Sequence, residues 1–244
     1  MSTILAINPN TTAAITSLLE RQLRAAAPQI DWRMAGGRFG ARYITSEAAS
    51  AIAAHAALDA WASHAADCEA VLLACFGDPG LFALRELSEV PVVGLAEASM
   101  RVAAREAGRF SIVTGGERWG PMLERLAQGL GYGDALAGIR AIALTGAQAA
   151  ADPDAAVGVL AAECRAARGR GGADTVILGG AGFAGLAARI SPLVGFLVID
   201  SVTAGAQEVA ALCAGAPWPY ARLAPSRRVD STGLQASLAG RLLD

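Results

Sequence analysis

At 244 residues, with 54% hydrophobic and only 17% charged side chains, the chain has the make-up of a compact folded protein and not of a disordered one. Against 22 acidic residues stand 20 basic ones, so a net charge of −2 offers no electrostatic footprint for nucleic acid. No run of Lys and Arg points to a membrane surface, and no stretch of about 20 strongly apolar residues to a membrane span. The N-terminus MSTILAINPN lacks the basic and apolar regions of a secretion signal, so the expected location is cytoplasmic.

Taken in order, strand-like and helix-like segments alternate. Ile4 to Ile7 reads as a strand, NPNTT as a turn, and Ala13 to Ala26 as a helix with Ile15, Leu18, Leu19 and Leu23 on one face. A strand over Ile30 to Met34, a loop with Gly36, Gly37 and Gly40, and a helix from Glu47 to Ala66 follow. Val71 to Ala74 is a buried-strand pattern, broken at Cys75 by glycines and Pro79 before helical spacing resumes over Leu81 to Leu87. Further strands are expected at Val90 to Leu95, Phe110 to Thr114, Ile139 to Leu144, Val176 to Leu178 and Val194 to Ile199. Helices are expected at Ala98 to Ala107, Pro121 to Leu130, Pro153 to Ala167, Ala204 to Cys213 and Thr232 to Leu243. This alternation predicts an α/β fold with mostly parallel sheets flanked by helices.

The two halves resemble each other. VLLACFGDPGL at 71–81 aligns with VILGGAGFAGL at 176–186, matching Gly77 with Gly182, Gly80 with Gly185 and Leu81 with Leu186, and the same offset lays PVVGL at 91–95 over FLVID at 196–200. Ile4 to Asn8 falls over about Arg109 to Val113. An internal repeat of this kind implies two pseudo-symmetric lobes with a cleft between them. The expected division is 1–97 plus 205–244 for the first lobe and 98–204 for the second. The position facing Cys75 is then Gly180.

Chemistry has few candidates. Cys68, Cys75, Cys164 and Cys213 show no CxxC spacing, and His55 and His64 lie nine apart on one predicted helix, so neither a metal site nor a disulfide framework is expected. No glycine-rich loop has the phosphate-binding spacing that would announce a nucleotide. The turn NPNTT supplies Asn10 or Thr11 as a helix cap, and its donors also suit a carboxylate, an imide oxygen or a developing enolate. Thr114 ends the corresponding strand of the second lobe. Cys75 lies where a strand of an open sheet becomes loop, the place where such folds bind ligands. A helix starting at Pro79 would favour its thiolate, and Asp78 would oppose it or hold the loop through backbone hydrogen bonds. With neither histidine placed to activate it as a nucleophile, proton transfer is the simpler role.

ILAINPNTT, ACFGDPGL, VILGGAGFAGL and VIDSVTAG together resemble the aspartate/glutamate/hydantoin racemase superfamily, in its hydantoin and allantoin racemase branch, from residue 4 to about 210. The resemblance implies a cofactor-independent enzyme in which two cysteines flank a substrate α-carbon. Cys75 matches the first. Asn8, Asn10, Thr11, Thr12, Gly77 and Thr114 match substrate-holding positions, and Phe39, Ala181 and Gly182 complete the expected site. Gly180 stands where the second cysteine belongs, so the two-thiol mechanism loses one of its carriers. The leading expectation is an isomerase acting through an enolate on a small hydantoin- or allantoin-like substrate, with Cys75 as acid/base and no arginine clamp among these motifs. The alternatives are a cofactor-free decarboxylase resembling the arylmalonate enzymes, whose single cysteine occupies the second position, and a ligand-binding homologue without turnover. A homo-oligomer is the expected assembly.

Overall fold

The computed structural model describes residues 1–220 and 231–243. Eight strands form two sheets of identical layout. β1 (Thr3–Asn8), β2 (Asp31–Gly36), β3 (Ala70–Leu73) and β4 (Val92–Gly94) pair in parallel in the order β2-β1-β3-β4. β5 (Phe110–Gly115), β6 (Leu136–Ile142), β7 (Thr175–Gly179) and β8 (Val198–Asp200) repeat it as β6-β5-β7-β8. The central strands are buried along their whole length except at Thr3, the first residue of β1, as parallel strands covered by helices on both faces must be.

Ten helices lie among the described residues. α1 (Ala13–Ala26) and α2 (Glu47–His64) cover opposite faces of the first sheet, the latter opened by Ser46, whose side chain accepts from the Ala49 amide. α3 (Leu81–Leu87) and α4 (Leu95–Glu106) follow β3 and β4. In the second half, α5 (Trp119–Gly129), α6 (Gly146–Ala151), α7 (Pro153–Gly171) and α8 (Ala187–Val194) flank the other sheet. Asp152 caps α7, with Pro153 at its first position, and Gly172 ends it in the left-handed region. α9 (Ser201–Cys213) returns to the first sheet, packing Val202, Ala206 and Val209 against Ile4, Leu19 and Leu72. α10 (Ala236–Leu243) lies against α2.

A third cluster joins the two sheets. It runs from Phe76, Ala96 and Met100 to Phe110, Ile112, Ile177 and Ile199 without a solvent gap, and side chains of that size contribute about 1.5–3 kcal/mol each on burial.

Several boundaries differ from the expectation. The strand expected from Val194 begins only at Val198, because α8 occupies 187–194 with Pro192 inside it and Gly195 (φ 75°) ends it. Composition alone reads that apolar run as strand. α6 was not expected, although Thr145 and Gln148 form the reciprocal capping box that marks a helix start. α3 begins after Gly80, not at Pro79, since Gly80 (φ 89°) is its cap residue. The last helix starts at Ala236 and not at Thr232. The part of the first lobe expected over 221–230 lies outside the described residues. No helix among the described residues is long and apolar enough to cross a membrane.

Candidate active site

Parallel strands deliver their carboxyl ends to one side of each sheet, and there both lobes turn toward each other. Leu5 pairs with Val71 in the first sheet and Ser111 with Val176 in the second. Asn8 therefore corresponds to Thr114, one residue beyond the expected overlay, while Cys75 corresponds to Gly180 as the repeat implied. Phe76, next to the thiol, reaches the opposite lobe: a Cβ on Gly179 would fall 2.2 Å from its ring. Glycine at 179 is what allows the two turns to approach.

Between these turns lies a cavity of about 450 Å³. Its apolar wall is made by Ile15, Ile44, Phe76, Trp119 and Phe183, and its polar groups come from Asn8, Asn10, Thr12, Arg42, Tyr43, Cys75, Thr114 and Thr145. A volume of this size takes a small molecule of roughly hydantoin dimensions and excludes a polymer.

The asparagine turn is preorganised. Asn8 Nδ2 donates to Asn10 Oδ1 (3.0 Å) and to Thr16 Oγ1 (3.0 Å), and the Thr12 amide donates to Asn10 Oδ1 (2.9 Å). The cap position of α1 is Thr12, not Asn10 or Thr11, and its hydroxyl donates to the Arg42 carbonyl (2.7 Å), tying in the loop before α2. These bonds use the acceptor of Asn10 and leave its Nδ2 free to donate. Asn8, Asn10 and Thr114 are all largely buried and line the cavity.

Cys75 is a half-buried free thiol. Burial, and then the negative charge of Asp78, push it up from 9.0 to about 12. The stabilised thiolate that a helix start could provide is not realised: α3 is a seven-residue helix, and the charge that reaches the sulfur is that of Asp78. At neutral pH Cys75 is a protonated thiol and so a ready proton donor. Asp78 itself is raised from 3.8 to about 7, chiefly by burial, against the opposing effect of hydrogen bonds from the Ala96 and Glu97 amides. Tyr43, whose phenol burial raises first and Cys75 second, stands beside the thiol.

Of the expected site residues, Asn8, Asn10, Thr12, Cys75, Thr114, Gly180, Ala181 and Gly182 line the cavity. Thr11, Phe39 and Gly77 do not. Thr11 spends its amide on the Ala41 carbonyl, and Phe39 packs edge-on against His55 at 4.9 Å. Gly77 (φ 120°) lies under the Trp119 indole, where a Cβ would come within 2.3 Å of the ring, so glycine there serves packing. Arg42, Tyr43, Trp119 and Thr145 were missed. Arg42 stands in the 37–46 loop, outside the motifs in which no arginine clamp was expected. Among the described residues no group of His, Cys, Asp and Glu could hold a metal ion.

The Gly180 side is open. Its backbone has φ 122°, its amide donates to Ser201 Oγ (3.4 Å), and the nearest atom to an added Cβ is Phe183 Cδ2 at 3.8 Å.

Two like α/β lobes with one shared cavity at their strand ends define a class of fold, and comparison with known proteins gives it as that of racemases. The model of the family described as Asp/Glu/Hydantoin racemase matches residues 4–209. The chain is 34% identical over 201 residues to a hydantoin racemase of Pseudomonas sp. (strain NS671), covering 82% of this chain and 81% of that one. It is similar in structure to allantoin racemase from Klebsiella pneumoniae, with TM-score 0.81, 33% identity and coverage of 98% and 93%. Unliganded arylmalonate decarboxylase shares the fold alone, at TM-score 0.60 and 20% identity over 89% of this chain and 94% of that one. The chain belongs to the Asp/Glu/hydantoin racemase family, in its hydantoin and allantoin racemase branch, and is an isomerase of the racemase class.

Proposed function

We propose that this enzyme makes and breaks the α-proton of a 5-substituted hydantoin or allantoin-like substrate through an enolate, with Cys75 as its acid/base. The observation that carries the reading is the placement of one thiol beside amide and hydroxyl groups in a cavity between the two lobes. The ring's carbonyl oxygens accept from groups such as Asn10 Nδ2 and Thr114 Oγ1, which stabilise the charge that develops as the carbon loses its proton. The apolar wall receives the 5-substituent. Cys75 removes the proton as thiolate and returns it as thiol to the same face; Gly180 offers no side chain to serve the other face. Exchange with retention therefore outruns inversion.

Heavy-water incorporation followed by proton NMR on each enantiomer tests this. One enantiomer exchanges faster than it racemises, and Cys75→Ser stops the exchange. Since the acting base is the thiolate of a group raised to about 12, the exchange rate climbs with pH, reaching about tenfold per pH unit between pH 8.5 and 9.5, above the range in which Asp78 ionises. Absence of exchange with any hydantoin or allantoin defeats the reading.

Arg42 favours a second reading. Arg42 lines the cavity, and a guanidinium turned into it would suit a carboxylate, as a cofactor-free malonate decarboxylase requires. That reaction uses the neutral thiol as donor, so carbon dioxide release would be nearly flat over the same pH range. The division into lobes at 97, 98, 204 and 205, assembly as a homo-oligomer and a cytoplasmic location belong to the same proposal, the assembly being read by light scattering.

A further inference from the structure

Asp78 sits on the turn that carries Cys75, yet it does not line the cavity. Its amide donates to the Cys75 carbonyl (3.0 Å), closing the turn, and its backbone holds φ 48°, which a side-chain-bearing residue adopts at a cost of about 1 kcal/mol. Its carboxylate is buried and accepts from the first-turn amides of α4, Ala96 (2.9 Å) and Glu97 (2.8 Å). Gly94 is required beneath it, because a Cβ there would lie 2.2 Å from Oδ2. A positive φ, a glycine and two amide bonds thus serve one seat.

The second lobe shows what anchoring alone would need. Asp200, at the end of β8, caps α9 through the Val202 and Thr203 amides (both 3.0 Å) and holds the Gly185 amide of its turn (2.6 Å). The same tie between turn and helix is made there with the carboxylate on the strand, away from the turn residue matching Cys75. In the first lobe the charge has moved onto the thiol's own turn, and that relocation is what mechanical fastening does not explain.

We propose that Asp78 is a positioning residue for Cys75: its carboxylate fastens the thiol's turn to α4, and its negative charge, once ionised, adds to burial in holding the sulfur protonated, as a proton donor. The groups facing Asp78 are Glu97 on α4, which opposes its ionisation, and Arg85 on α3, which favours it; Cys75 is faced in addition by Tyr43. Glu97 is paired with Arg85 and Arg101 and accepts from the Tyr220 hydroxyl, and the charge that raises Cys75 is that of Asp78. The inference rests on Cys75 being the acid/base, and the test reads the thiol itself, so its outcome is separate from whether any substrate turns over.

The experiment is alkylation of Cys75 against pH, with the modified cysteine identified by peptide mass. Asp78→Asn keeps an acceptor for α4 and removes the charge. Its rate with neutral iodoacetamide at pH 8.5 rises about three- to tenfold, the effect of half to one unit in the thiol's pKa, and its rate with anionic iodoacetate rises further. Equal gains with both reagents mean a loosened turn only, and unchanged or slower alkylation means no charge effect; either overturns the proposal. Gly94→Ala, which displaces the carboxylate without removing it, raises both rates alike. Should the Asn variant fail to fold, the wild type decides. Its log rate has unit slope at low and high pH and a shallower segment where Asp78 ionises, since the thiol becomes less acidic as Asp78 gains charge. One straight line of unit slope overturns the idea.

Discussion

The two turns that face each other across the cavity leave matching strands and differ in backbone course and in almost every side chain. Cys75-Phe76-Gly77-Asp78 carries a thiol, a bridging ring and a buried carboxylate; Gly180-Ala181-Gly182-Phe183 carries backbone and one wall residue. Strand order and pairing are the same on both sides, so topology brings both turns to the cleft with equal accuracy. Chemistry is therefore assigned by residue identity at a scaffolded position, and a duplicated fold becomes one-sided when only one turn carries a thiol. The carboxylates repeat the lesson. Asp78 and Asp200 both tie a turn to a helix N-terminus, and only the first brings its charge to the sulfur.

Substitutions that remove or restore this asymmetry follow in order of size. Cys75→Ser deletes the proton carrier and slows α-proton exchange by about 10²- to 10⁴-fold in heavy water, with the fold intact by circular dichroism. Gly77→Ala forces a methyl to within 2.3 Å of the Trp119 ring at φ 120° and destabilises by about 2–4 kcal/mol in urea unfolding. Gly179→Ala meets the Phe76 ring at 2.2 Å and costs about 1–3 kcal/mol while prying the turns apart, so exchange falls as well. Gly180→Cys has room but inherits φ 122°. It loses about 1–2 kcal/mol of stability, and inversion rises relative to exchange, followed by polarimetry. Thr12→Ala forfeits the bond to the Arg42 carbonyl, about 1 kcal/mol, and raises KM. Thr11→Ala, outside the cavity, stays within about 0.5 kcal/mol and leaves KM unchanged.

Asn8, Asn10, Cys75, Thr114 and Gly180 were legible in the sequence because each ends a strand or follows it directly, and in a parallel sheet that place faces the ligand. Arg42 and Tyr43 were not, because they stand in the long connection between β2 and α2, whose path is set by Thr12 holding the Arg42 carbonyl. Trp119 was hidden in the same way, since an aromatic at a helix start is indistinguishable from ordinary core until Gly77 and Gly116 are seen beneath it. Gly77 was read as a substrate contact because its motif resembles the family's substrate-holding loops. The repeat that matches it to Gly182 aligns backbone, and only packing shows that one glycine lines the cavity and the other lies under an indole.

By itself the sequence determined two repeated α/β lobes and a cysteine opposed by a glycine, since strand periodicity, turn residues and an internal repeat are local signals that survive in one dimension. Only the tertiary structure decided the ionisation of that cysteine. A helix start nearby in sequence argued for an acidic thiol, but burial between two lobes and a carboxylate folded back beneath it argue more strongly for a protonated one. Desolvation and through-space charge depend on which groups meet, and these groups meet only when both sheets are in place.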